Sequence, residues 1–367
     1  MKVALNAMQA GNRSGTGVYA SQLARWLPRV SHGISMATYW PAGLPLPDAA
    51  IADTFKNVTV RGGLRRIAYD QFGFAREAAA NGADLLHYPA TVGRLLPSRN
   101  SIVTIHDLTF LHEPEWYGWE HAAYLKYATW LSARHARRIV TVSEATKRDV
   151  VELLRIPESK VDAIPNGVDE SFVAAEEDEV ERVAAKYKLP DLFVLFVGTL
   201  EPRKNIVRLI QAFSKAADAI PHHLVIAGRN GWIYHSIHEA AAASRHAARV
   251  HFIGHAPPED LPALYSAADM FAFPSLFEGF GIPVAEAMAC GTPVLTSTTS
   301  SLPEVAGDAA VLVDPYDVEA IATGMTQILS DERLKARLHE AGPIRARQFS
   351  WKRTAECVVE SYKKAME

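Results

Sequence analysis

The sequence is poor in cysteine. Cys290 and Cys357 are the only two among 367 residues, and they form no CxxC pattern. That argues against a disulfide framework and a cysteine-based zinc site, and it points to a reducing, cytoplasmic setting. Long apolar runs are also lacking. None reaches the roughly 18 residues that a membrane-spanning helix needs, so a membrane, if met at all, is met from one side. The opening "MKVALNA" has a lysine and a short apolar run, but Asn6 interrupts it and the polar "QAGNRSG" follows. It reads as a buried first strand rather than a signal peptide. Charge of one sign is not in excess: a net charge of −3 gives no global field to recruit nucleic acid. Short repeats and low-complexity segments are absent.

What is present is ordinary globular material, 49% hydrophobic and 22% charged, in a chain long enough for two domains of about 150–200 residues. Short β-branched or apolar runs alternate with longer helical patterns. In the first half, strands are expected at "KVALNAM", "ISMATYW", "VTV" (58–60), "ADLLHYP", "SIVTIHD", "RIVTVS" and "DAIPNGVD". Helices are expected over Thr16 to Val30 and Trp116 to Arg137, and from Ser143, which caps its own helix. The charged, alanine-rich stretch from Glu176 to Lys188 reads as a solvated helix at a domain junction. The pattern then restarts with "LFVLFVG", "HHLVIAG", "VHFIGH", "MFAFPS", "PVLTS" and "AVLVDP", with helices from about Asn205, Ile233, Glu259 and Val284. Strand then helix, repeated in two halves, predicts two parallel-sheet α/β domains facing each other, with ligands at the carboxyl ends of the strands. The expected division is residues 1–172, residues 173–348 and a C-terminal amphipathic helix in 349–367.

Four stretches carry chemistry. Gly15-Thr16-Gly17-Val18-Tyr19-Ala20 fits G-x-G-x-x-A, but about nine residues separate it from its strand, and no acidic residue ends the next one. This disfavours a nicotinamide fingerprint. A small-residue loop at a helix N-terminus still offers N–H groups to an anion; the plain alternative is a tight turn and cap. Gly198-Thr199 ends a strand, and Arg203-Lys204 follow at the expected start of a helix, where cations add to the positive end of the dipole. A multiply charged anion bound there would explain the misfit; two solvated surface cations are the alternative. Glu278 lies past "MFAFPS", with Gly279 and Gly281 bracketing Phe280 and Pro283 suited to a first helical turn. Glu286 sits within the apolar "VAEAMA" and needs a partner. A glutamate bonding nearby backbone or an arginine is the plainer reading. His106 ends "SIVTIHD" and could donate a hydrogen bond or a proton, or be locked by its loop. No histidine, cysteine or carboxylate set has the spacing of metal ligands, so no protein-bound metal or other cofactor is expected. In "RGGLRRIAY" (61–69), Arg61, Arg65 and Arg66 stand beside Leu64, Ile67 and Tyr69. That is either a solvated face or a contact with anionic lipid.

Together "FVGTLEPRKN", "LVIAGRNG", "VHFIGHAPPEDLPALYSAADMFAFPSLFEGFGIPVAEAMACGTPVLTS", "SSLPEVAGDAAVLVDP" and "FSWKRTAE" resemble the retaining glycosyltransferases of family 4. "GTGVYASQL", "VTIHDLTFLHEPEWY", "VSEATKRDV" and "IPNGVD" resemble its bacterial mannosyltransferase-type members. The resemblance implies a GT-B fold: two Rossmann-like domains facing a central cleft, with the sugar-nucleotide donor in the second and the acceptor mostly on the first. It also implies that the last helix crosses back to the first domain. By position, Arg203 and Lys204 match residues that hold the nucleotide diphosphate. Glu286 matches the glutamate on the ribose, Glu278 the one beside the donor sugar, and His106 the histidine near the transferring sugar. The amides of Phe280, Gly281 and Ile282 would reach sugar and phosphates, Gly15 to Gly17 would cap the phosphates, and Gly198 would line the donor site. The base would lie near Arg229 and between Phe252 and His255, with Ile253 lining it. The implied activity is transfer of mannose from GDP-mannose to a glycan or lipid-linked acceptor. The alternatives are a UDP-glucose or other UDP-sugar donor, a sugar-nucleotide epimerase, and a non-catalytic sugar-nucleotide-binding protein.

Overall fold

The structure, a computed structural model, describes residues 1–12, 14–60, 63–97 and 100–367. Arg61, and with it part of the basic stretch at 61–69, lies outside the described residues. The chain forms two compact units: residues 1–167 with 351–367, and residues 168–350.

The strands of the first unit are β1 (Lys2–Asn6), β2 (Ser35–Pro41), β3 (Phe55–Val58), β4 (Leu85–Tyr88), β5 (Ser101–Ile105), β6 (Arg138–Thr141) and β7 (Val161–Ala163). They pair in the order β3-β2-β1-β4-β5-β6-β7, every pair parallel. The strands of the second unit are β8 (Phe193–Val197), β9 (His223–Ala227), β10 (Val250–Gly254), β11 (Met270–Phe273), β12 (Val294–Ser297) and β13 (Val311–Val313). Their order is β10-β9-β8-β11-β12-β13, again all parallel. In both sheets the strand order reverses beside the first strand, which is the doubly wound, Rossmann-like arrangement. Ligands in such sheets gather past the carboxyl ends at that reversal. It falls between β1 and β4 in the first unit, and between β8 and β11 in the second.

Central strands read as continuous apolar runs because helices cover both sheet faces. "MFAF" is buried along its whole length, as is "LLHY". The helix Ile206–Ala216 shows how the second unit closes over its sheet: Ile206, Leu209, Ile210 and Phe213 recur at helical spacing and are buried. Ser143 caps its helix as expected, its hydroxyl accepting from the Thr146 amide at 3.0 Å. At the ends of β8 and β9 the backbones nearly touch. A Cβ at Gly228 would lie 1.8 Å from the Gly198 carbonyl oxygen, so only glycine fits there.

Three local expectations shift. The third strand runs over Phe55–Val58 rather than 58–60, because Asn57 and Val58 register with Trp40 and Pro41, and Phe55 packs edge-on against Trp40 at 5.3 Å. The aromatic helix begins at Trp119, since Pro114–Trp116 form a separate 3₁₀ turn and Gly118 is extended. Arg203 and Lys204 do not open a helix. Pro202–Lys204 is a 3₁₀ turn, Asn205 has a left-handed φ of 60°, and the helix starts at Ile206. The Asn205 side chain fixes this break by donating to the Pro274 and Pro315 carbonyls at 2.9 and 2.6 Å. The C-terminal helix Trp351–Met366 belongs to the first unit, where Thr354 donates to the Pro165 carbonyl.

Candidate active site

In the second unit, the loops after β8 and β11 converge at the reversal point. Arg203 and Lys204 come from the first loop and Glu278 from the second. The carboxylate of Glu278 lies between the two cations: Oε1 accepts from Lys204 Nζ at 2.6 Å and from the Ser275 hydroxyl at 2.7 Å. Oε2 accepts from Arg203 Nη1 at 2.7 Å. Arg203 also pairs through Nε with Glu201 at 2.5 Å and donates to the Phe277 carbonyl at 3.2 Å. The Lys204 ammonium lies 4.7 Å from the Phe273 ring centroid. Backbone bonds lock the two loops together, since the Arg203 carbonyl accepts from the Leu276 amide and the Ser275 hydroxyl at 2.8 and 2.9 Å.

Glu278 and Lys204 are both about 6% exposed. Burial alone would raise the Glu278 pKa, but Arg203 and Lys204 outweigh it and hold the carboxyl down at about 2. Burial, then the neighbouring Arg203 charge, pulls the Lys204 pKa below its ordinary value against the two glutamates. The cations therefore do not stand unbalanced at a helix end, as their sequence position suggests; Glu201 and Glu278 offset them. Nor does Glu278 project freely, since both its oxygens are engaged by the cations and Ser275.

The glycine turn that follows is pinned by a serine pair that the sequence reading passed over. Ser300 exchanges bonds with the Glu278 backbone at 2.9 and 3.1 Å, and Ser301 donates to the Glu278 and Phe280 carbonyls at 2.9 and 2.8 Å. Gly281 has φ +105°, and a Cβ there would meet Leu302 at 2.7 Å. Phe280 is buried edge-on against Phe349 at 5.3 Å. Ile282 opens the helix Ile282–Ala289, with Pro283 in its first turn. Glu286, half-buried one turn in, finds its partner in Tyr265, whose phenol donates to Oε2 at 3.2 Å. Burial pushes its carboxyl up to about 7 despite that bond, with Asp169 adding to the rise.

Gly198 directly follows β8, with its amide on the Ala227 carbonyl at 2.9 Å. Arg229 is exposed just past β9, and its carbonyl accepts from the Leu200 amide at 2.9 Å. Ile253 is half-buried on edge strand β10.

Gly15, Thr16, Gly17 and His106 belong to the first unit. Gly15 to Gly17 form the first turn of the helix Gly15–Val30, and a Cβ at Gly17 would fall 1.7 Å from the Asn12 carbonyl oxygen. His106 follows β5. Its Nε2 lies 3.1 Å from the Pro89 carbonyl, which can only accept, so Nε2 carries the proton. Burial lowers its pKa, against the Pro89 bond and Asp107. A neutral ring with the proton on Nε2 presents Nδ1 as an acceptor; it has no second proton to give. In the stretch 63–69, Tyr69 is buried with its hydroxyl donating to Glu77, and Arg66 pairs with Asp70, so neither lines a basic surface. Among the described residues no group of three or more histidine, cysteine, aspartate or glutamate side chains is placed to hold a metal ion.

Comparison with known proteins follows the same division. The family Glycosyl transferases group 1 matches residues 177–345, and Glycosyltransferase Family 4 matches residues 13–172. The O-antigen chain mannosyltransferase B of Escherichia coli is 33% identical over 73% of this chain and 72% of its own. The E. coli serotype-specific mannosyltransferase WbdA is 32% identical over 63% of this chain, but the match spans only 29% of that longer protein. Among solved structures, Anabaena Alr3699/HepE, determined with UDP and glucose, superposes with a TM-score of 0.76 at 17% identity, over 99% of this chain and 100% of that one.

Replacing Glu278 by Gln should leave two cations with too little balancing charge in a buried site. We expect a loss of about 3–5 kcal/mol in urea unfolding at pH 7. Because the folded pKa lies below the ordinary 4.5, the Glu278 contribution is present above that value and fades as pH falls toward about 2. A loss under about 1 kcal/mol would contradict the cluster's role.

Proposed function

The chain belongs to the family 4 glycosyltransferases, with the Rossmann-like pair of domains of the GT-B fold. From that premise we propose that it transfers mannose from GDP-mannose, with retention, to a glycan or lipid-linked acceptor in polysaccharide or cell-envelope assembly. The observation that carries this reading is the Arg203–Glu278–Lys204 cluster at the strand-order reversal of the second sheet. Cleaving a sugar–diphosphate bond leaves charge on the phosphates. Two cations already fixed in a dry, hydrogen-bonded frame can meet that charge with little reorganisation. Their pairing with Glu278 holds them in register before a donor arrives. On this reading Arg203 supplies a fork for phosphate oxygens and Lys204 a point charge.

The other donor contacts are those that the resemblance implies. The Glu286 carboxylate accepts from ribose hydroxyls, and the Phe280, Gly281 and Ile282 amides reach the sugar. His106 offers Nδ1 as an acceptor to a sugar hydroxyl, and Gly15 to Gly17 face phosphate, as the resemblance implies. No protein-bound metal enters the reaction; the cations serve in its place. The expected chemistry is front-face departure and attack, with a leaving phosphate oxygen taking the acceptor's proton.

Mannose is supported by the mannosyltransferase names of the relatives; GDP as its carrier is what the family resemblance implies. A UDP-sugar donor is the second reading, supported by the UDP and glucose in the Anabaena structure. A cytoplasmic protein peripheral to the membrane is part of the same proposal. Among the described residues no helix is long and apolar enough to cross a membrane. The first unit instead exposes Leu64 (85%), Phe72 (61%), Trp119 (80%) and Tyr127 (63%), with Arg65 and Lys126 also exposed. Gln71 bonds Gly93 and Leu95, and Leu95 bonds His135, so one loop ties the two segments together. Apolar and aromatic groups interleaved with basic ones fit an anionic lipid surface.

Lys204→Ala should abolish turnover of GDP-mannose while still unfolding in one cooperative thermal transition, at a lower temperature because Glu278 loses a partner; near-normal turnover would refute the diphosphate role. Run as a panel of GDP- and UDP-sugars, thermal shift and donor hydrolysis choose the donor, and binding of none of them defeats the whole reading. GDP affinity should rise with pH through about 7 as Glu286 ionises, and Glu286→Gln should flatten that dependence; an unchanged slope would remove Glu286 from the nucleotide. The protein should sediment with phosphatidylglycerol vesicles more than with phosphatidylcholine ones, and Leu64→Asp should weaken that binding. Equal or absent sedimentation speaks against membrane contact.

A further inference from the structure

We propose that a buried chain of polar side chains, Tyr362–His87–Thr104–Tyr19, is a positioning device that sets the His106 ring and the start of the helix Gly15–Val30. Its functional consequence rests on reading His106 as a group at the transferring sugar. The four members come from four elements: the C-terminal helix Trp351–Met366, β4, β5 and the helix Gly15–Val30. All four are fully buried. The Tyr362 hydroxyl lies 2.7 Å from His87 Nδ1, His87 Nε2 lies 2.9 Å from the Thr104 hydroxyl, and that hydroxyl lies 3.3 Å from the Tyr19 hydroxyl.

Each link needs one proton. Burial, with His106 nearby, lowers the His87 pKa to about 3, so its ring stays neutral with one N–H and one lone pair. All three links can then be made with every member donating toward Tyr19, with every member donating toward Tyr362, or with Tyr362 and Tyr19 both donating inward. An apolar core would pack these elements without such a demand. A polar chain tolerates only narrow offsets, because a slipped member leaves a buried group unpaired.

What the chain fixes is Tyr19. Its ring meets the His106 ring edge-on, with centroids 4.9 Å apart and planes at 88°. Trp351, the first residue of the C-terminal helix, meets Tyr19 from elsewhere at 6.0 Å. The bond from His106 Nε2 to the Pro89 carbonyl holds the ring at one edge, and Tyr19 holds it sterically. Tyr19 also lies one helical turn past Gly15, so the chain that orients His106 also registers the glycine turn.

The test is a comparison of Tyr362→Phe and Thr104→Val with the native protein. Both keep side-chain volume and each removes one hydroxyl; either one suffices if the other fails to fold. In two-bond ¹H–¹⁵N spectra of the nucleotide-free protein, the His106 ring signals, assigned by their loss in His106→Gln, should shift or broaden. Unchanged His106 signals in a folded variant overturn the proposal, whatever the donor. With GDP-mannose, turnover should fall roughly ten- to a hundred-fold while KM stays within about two-fold. Combining either variant with His106→Gln should add little to the loss from His106→Gln alone. Additive losses overturn the coupling. If His106→Gln itself turns over normally, the functional reading of His106 fails, and the ring signals still decide the positioning claim.

Discussion

One buried carboxylate organises the second unit's site. Glu278 holds Arg203 and Lys204 within 2.7 Å of its oxygens, and the cations and the carboxylate follow two strands, β8 and β11, that only the sheet order brings together. Removing either side from this arrangement strands charge in a dry place, so the loop after β8 and the loop after β11 are bound to one geometry. The Ser275, Ser300 and Ser301 bonds and the Asn205 amide serve that constraint by fixing the backbone on each side. Buried ion clusters add little net stability compared with apolar packing, so the presence of one at the strand-order reversal favours the proposed role in recognition.

The two units solve their electrostatics in opposite ways. In the second, charge is concentrated and balanced internally. In the first, burial keeps both His87 and His106 neutral, and direction is supplied by hydrogen-bond order and ring contact instead. A neutral acceptor suits contact with sugar hydroxyls, whereas paired cations suit phosphate. That division is what the proposed reaction, with charge developing on a leaving diphosphate, would require.

Much of the fold was legible because buried parallel strands announce themselves as short apolar runs. Each run picked out, from "KVALNAM" to "AVLVDP", overlaps a strand, though "VTV" does so only through Val58. Strand order was not legible, because pairing of β8 with β11 is a long-range fact. The same limit hid the partner of Glu278, 74 residues from Lys204 and 75 from Arg203. The 3₁₀ turn had a local signal that a helix reading overrode: Pro202 at its first position and Asn205, a residue type tolerant of positive φ, at its end. His87 gave none, since one histidine within "LLHY" looks like any satisfied core residue. The apolar setting of Glu286 calls for a partner, and Tyr265 is that partner, but only the packing of its helix shows how strongly burial opposes its charge.

The central claim is that Arg203 and Lys204 are a diphosphate site held ready by Glu278. The most direct measurement is a crystal structure with a bound nucleoside diphosphate. The account predicts phosphate oxygens within hydrogen-bond distance of the Arg203 guanidinium and the Lys204 ammonium, with Glu278 still bonded to at least one of them. A diphosphate bound elsewhere, with the three side chains closed on one another as they are here, would contradict it.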